Sequence, residues 1–105
     1  MRMLTAGEFD AFVASRPLVV IHVDARWDAY RDEVRAKMLA AETGLKDHVA
    51  FAEVDCDTEG ELCSSLGVAN VPWIAYFREG KQVRAGAGAH QNILEHAKQI
   101  LDGNL

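Results

Sequence analysis

The chain has 105 residues, of which 50% are apolar and 26% charged, and its net charge is −5. That length suits one domain over residues 1–105, able to fold without a metal or disulfide. The acidic balance argues against a nucleic-acid partner, because phosphate binding needs a concentrated basic patch. The two basic stretches, Arg31 to Lys37 and Arg78 to Arg84, are broken by acidic residues and read as solvated faces. No run reaches the ~18 apolar residues of a membrane span. The opening Met1-Arg2-Met3-Leu4 lacks the apolar segment and cleavage site of a signal peptide. The expectation is a cytoplasmic protein with no membrane partner, in which Cys56 and Cys63 stay reduced.

In chain order, a strand stub at Met1 to Met3 precedes Thr5-Ala6-Gly7-Glu8, a capping box that opens a helix. Phe9, Phe12 and Val13 form its buried stripe, and Ser15-Arg16-Pro17 ends it. Leu18 to Val23 is an almost unbroken, β-branched apolar run, the pattern of a strand covered on both faces. Asp28 is placed to cap a second helix with Val34, Met38, Leu39 and Tyr30 inward and Gly44 as its stop. His48 to Val54 reads as a strand. Asp57 or Thr58 then caps a short helix carrying Leu62, Cys63 and Leu66, closed by Gly67. Trp73 to Phe77 and Lys81 to Ala85 form a hairpin about Glu79-Gly80. Gly86-Ala87-Gly88 leads into a last helix with Ile93, Leu94, Ala97, Ile100 and Leu101 inward. The order α, β, α, β, α, β, β, α joins a βαβ unit to a ββα unit, an α/β sandwich.

Five local patterns, in order and at nearly regular spacing, resemble the thioredoxin family over almost the whole chain. Thioredoxins carry a strand ending in Asp-Phe-Trp-Ala-x-Trp followed by Cys-Gly-Pro-Cys. Here the matching stretch is His22-Val23-Asp24-Ala25-Arg26-Trp27, then Asp28-Ala29-Tyr30-Arg31. The family's Val-Asp-x-Asp resembles Val54-Asp55-Cys56-Asp57, and its Gly-Val-x-x-x-Pro block resembles Gly67 to Pro72. The family's strand, turn and Gly loop resemble Ile74 to Phe77, Glu79-Gly80 and Ala85-Gly86-Ala87. The resemblance implies the thioredoxin fold: a central mixed sheet of four to five strands flanked by four helices.

The resemblance also places Asp28 and Arg31 where the family's two cysteines stand, so the chain lacks the thiolate and resolving thiol of the Cys-x-x-Cys chemistry. Asp28 reads instead as a helix cap able to pair with Arg31 at i, i+3. The family's buried proton-accepting Asp is replaced by His22, read as a hydrogen-bonded core residue, and Asp24 replaces an aromatic at the lip. His22, Asp24 and Asp28 form the one acid–base grouping the sequence offers. Val71-Pro72 matches the family's cis-proline, whose neighbour offers its backbone to an extended peptide. Trp27, Tyr30, Trp73 and Gly86 would line that groove. Cys56 and Cys63 read as two half-buried thiols, with a peroxide-sensing disulfide as the alternative, since their separation does not fix a distance.

These readings lead to a redox-inactive module that binds a protein or peptide beside Pro72 and needs no cofactor or metal. The alternatives are a thiol oxidoreductase or redox sensor using Cys56, Cys63 or glutathione held at Val71 and Asp57, and an assembly role as a monomeric subunit or homodimer.

Overall fold

The computed structural model describes residues 1–45 and 47–103. Five strands form one mixed sheet in the order β1-β3-β2-β4-β5. They are β1 (Arg2–Met3), β2 (Leu18–Asp24), β3 (Val49–Asp55), β4 (Trp73–Arg78) and β5 (Lys81–Ala87). The helices are α1 (Ala6–Val13), α2 (Arg31–Leu45), α3 (Gly60–Ser65) and α4 (Ile93–Leu101). β2 runs parallel to β3 and antiparallel to β4, so it lies at the centre.

All seven residues of β2 are buried. Because successive side chains alternate across a strand, β2 feeds two separate cores. Leu18 and Val20 join Val34, Met38, Ala41, Ile93 and Ala97 on the α2/α4 face. Val19, Ile21 and Val23 join Phe9, Val13, Val54 and Cys63 on the α1/α3 face. The capping box of α1 closes through Glu8, whose Oε1 accepts the Thr5 backbone N–H and hydroxyl, each at 3.0 Å. In the β4–β5 turn both residues take positive φ, 52° at Glu79 and 79° at Gly80, the mirror-image turn that suits a twisted hairpin. Gly88 serves close approach instead: a Cβ there would lie 2.9 Å from Ile74 Cγ1, and its N–H donates to Pro72 C=O at 2.8 Å.

Four local expectations are corrected. The buried stripe of α2 is Val34, Met38, Ala41 and Leu45, while Leu39 and Tyr30 are 43% and 48% exposed. Helical spacing from Val34 and Met38 admits either neighbour, and the small Ala41 fits against α4. α2 begins at Arg31 and runs one residue past Gly44. α3 begins at Gly60 after Glu59 rather than under Asp57 or Thr58, because the Asp57 carboxylate is taken by Arg26 N–H at 3.0 Å. β5 continues two residues further, through Gly86 and Ala87.

The two-faced core makes a paired prediction. Ile21→Ala removes a fully buried side chain and is expected to cost about 2–5 kcal/mol of unfolding free energy. Leu39→Ala is expected to change it by less than about 0.5 kcal/mol. Urea denaturation of both variants checks the assignment.

Candidate functional site

The parallel ends of β2 and β3 converge with the loop before β4. Cys56 N–H donates to Asp24 C=O at 2.8 Å, carrying the ladder one residue beyond the strands. Arg26 straps the loop after β2 to the same place, its N–H on Asp57 Oδ2 at 3.0 Å and its Nε–H on Asp55 Oδ2 at 3.2 Å. Those ties hold Trp27 beside Cys56, with its indole 73% exposed. The open carboxyl end of a sheet is where α/β folds place their ligands.

Cys56 and Cys63 are joined there as a disulfide, with Cα atoms 5.8 Å apart. This corrects the expectation of two free thiols. A strand end and the helix that follows it are brought together by the turn at Asp55, whose C=O accepts the Thr58 and Glu59 N–H groups at 3.2 and 2.8 Å. The disulfide lines a pocket of about 430 Å³ with Trp27, Ser64, Val68, Ala69, Asn70 and Val71. The Val71–Pro72 peptide bond is cis. Among the described residues, neither the N–H nor the C=O of Val71 makes a backbone hydrogen bond. The pocket therefore sets a disulfide, an exposed indole and open backbone side by side. Trp73 is half-buried and packs against the α1/α3 core. Gly86 lies across the hairpin, its C=O accepting Gln91 Nε2 at 3.2 Å.

The positions that match the family's cysteine pair lie at the same end of the sheet but on the other face. Asp28 Oδ1 accepts Tyr30 N–H at 3.3 Å and its C=O accepts Arg31 N–H at 3.3 Å, so Asp28 shapes a turn ahead of α2 rather than capping the helix. The expected Asp28–Arg31 ion pair is also corrected, since the Arg31 guanidinium lies 4.0 Å from Asp32 instead. Tyr30 sits edge-on to His90 at 6.1 Å.

Beneath this turn lies a buried charge chain. His22 is fully buried, with Nε2 2.6 Å from Asp24 Oδ2 and Nδ1 3.3 Å from Glu53 Oε2. Glu53 Oε1 accepts Arg35 Nε–H at 3.1 Å, and Asp24 Oδ1 accepts Ala25 N–H at 2.8 Å. Burial works against a charged imidazole, but the Asp24 and Glu53 carboxylates beside the ring favour the protonated form, outweigh it and raise the His22 pKa. Burial likewise opposes ionisation of Asp24 and Glu53, yet the His22 contacts leave both carboxyls below their ordinary values. Burial and the neighbouring Asp24 carboxyl push Asp28 up. The sequence reading named His22 and Asp24 but missed Glu53 and Arg35. The signal was available, for Glu53 is the one charge inside the apolar run of β3 and stands opposite His22 in the parallel register.

A family model described as "Thioredoxin" matches residues 1–99. The chain belongs to the thioredoxin family. It is 29% identical over 99 residues, 91% of its length, to protein disulfide-isomerase A3 of Gallus gallus. It is 33% identical over 89 residues, 84% of its length, to a protein disulfide-isomerase of Aspergillus oryzae. The chain spans only 20% and 17% of those two relatives. A thioredoxin variant from Halobacterium salinarum superposes with a TM-score of 0.86 at 20% identity, over 93% of this chain and 88% of that one, which supports the fold. With disulfide-isomerase relatives and a paired Cys56–Cys63, the redox-inactive reading is overturned. Asp28 and Arg31 stand at the positions that match the family's cysteine pair, and the pair this chain does form is Cys56–Cys63.

Among the described residues no helix is long and apolar enough to cross a membrane. Among the described residues no group of three or more His, Cys, Asp and Glu side chains is arranged so that it could hold a metal ion.

The charge chain makes stability depend on pH with a defined sign. His22 holds its proton more tightly when folded, so its contribution is complete below the ordinary histidine pKa of about 6.5 and is lost as pH rises through the raised folded value. Asp24 and Glu53 contribute above the ordinary carboxylate pKa of about 4 and lose that contribution as pH falls through their depressed values. Raised Asp28 acts with His22, its contribution falling away as pH climbs. The urea midpoint is expected to be highest at about pH 5 to 6.5 and to decline on both sides. In His22→Asn the alkaline decline should flatten, which a series of urea titrations from acid to alkaline buffer would detect.

Proposed function

We propose that this domain is a thiol–disulfide oxidoreductase that exchanges electrons through Cys56 and Cys63 with protein or peptide thiols. The observation that carries the reading is the shared pocket, in which the disulfide faces the same space as Trp27 and the open backbone of Val71. Thiol–disulfide exchange requires a substrate sulfur to reach one protein sulfur. An extended peptide pairing with Val71 by strand addition would bring its cysteine to that space, and the exposed Trp27 indole offers it an apolar platform. The disulfide-isomerase relatives support the same chemistry, here moved from the first turn of α2 to the junction of β3 and α3.

Reduction of insulin by dithiothreitol, followed by turbidity, tests the reading. The wild-type domain is expected to shorten the lag and the doubly substituted Cys56→Ser/Cys63→Ser domain to leave it unchanged. Equal lags for the two proteins would remove the proposal.

A further inference from the structure

We infer that the two sulfurs have separate duties: Cys56 is the one that bonds to substrate, and Cys63 is the one that leaves and resolves. The inference rests on the oxidoreductase reading and goes further by assigning each atom its step.

The two cysteines differ in their surroundings. Cys63 is 6% exposed and embedded in the α1/α3 core with Val23, Val54 and Phe9. Cys56 lies beyond the end of β3, half-buried, and is followed by the exposed Asp57 and Thr58. Exchange proceeds by attack on one sulfur with departure of the other, and access decides which one is struck. Both cysteines border the pocket, but Cys63 is buried in the core and offers an incoming thiolate little surface. Attack on Cys56 Sγ uses the side on which the chain meets solvent. Backbone ties hold both cysteines in place. The N–H of Cys56 is held by Asp24 C=O at 2.8 Å, which fixes the receiving sulfur on the rigid sheet. Cys63 sits on α3, its N–H donating to Glu59 C=O at 3.1 Å and its C=O accepting Val68 N–H at 3.3 Å.

With the domain oxidised, a substrate thiolate attacks Cys56 Sγ. The Cys56–Cys63 bond breaks, and Cys63 departs as a thiolate that takes a proton from water. A second substrate thiolate then attacks the substrate sulfur of the mixed disulfide and expels Cys56 as a thiolate, which is protonated in turn. Two substrate thiols become one substrate disulfide, two electrons pass to the domain, and the protein disulfide becomes two thiols. In the reducing direction the same steps run backwards: Cys56 attacks the substrate disulfide and Cys63 resolves the mixed disulfide.

Oxidised glutathione serves as the probe, with the protein–glutathione adduct read by mass spectrometry. Cys63→Ser is expected to form the adduct at Cys56 about tenfold or more faster than Cys56→Ser forms it at Cys63, since the buried Cys63 is harder to reach. A second measurement avoids any folding defect of the variants. The reduced wild-type domain is treated with limiting iodoacetamide and its peptides are mapped, and Cys56 should be alkylated ahead of Cys63. Equal or reversed preference in a domain that still accelerates insulin reduction overturns the assignment and leaves the oxidoreductase reading standing. A domain that neither forms an adduct nor turns over insulin removes both.

Discussion

The total burial of β2 is the constraint from which the rest follows. A strand with no exposed residue must supply a core to each face of the sheet, and it does so with Leu18 and Val20 on one side and Val19, Ile21 and Val23 on the other. The same burial obliges His22 and Asp24 to find their charge partners inside the protein. They find them in each other and in Glu53, which the parallel register of β3 sets directly opposite. A buried charge without such partners would cost several kcal/mol. The chain of Arg35, Glu53, His22 and Asp24 alternates in sign, so each member offsets the desolvation of the next.

The two faces also separate two kinds of chemistry. On the α2/α4 face this protein has Asp28 over a charge network and a turn built from hydrogen bonds. On the α1/α3 face it has a disulfide joining the end of β3 to α3. Both lie at the carboxyl end of the sheet, and Trp27 stands between them.

The architecture was legible because several independent signals coincided. The β-branched run from Leu18 to Val23, the Thr5–Glu8 box and the Glu79-Gly80 turn each have a local cause, and each formed close to its expected place. Less legible were features whose cause lies elsewhere in space. Leu39 and Ala41 are nearly equivalent in helical period, and only packing against α4 chooses between them. Asp57 looked like a helix cap until the Arg26 N–H claimed its carboxylate. The disulfide was the largest miss, because a separation of 7 residues reveals nothing until the turn after β3 folds α3 back. Glu53 was visible as a charge within an apolar strand, yet its partner became evident only with the register.

The position of Trp27 gives the protein an optical property. An excited indole readily donates an electron to a nearby disulfide and loses its emission in doing so, and Trp27 borders the same pocket as Cys56 and Cys63. The second indole, Trp73, is half-buried and packed against the core. The two indoles therefore stand in different surroundings, Trp27 at the disulfide pocket and Trp73 against the core.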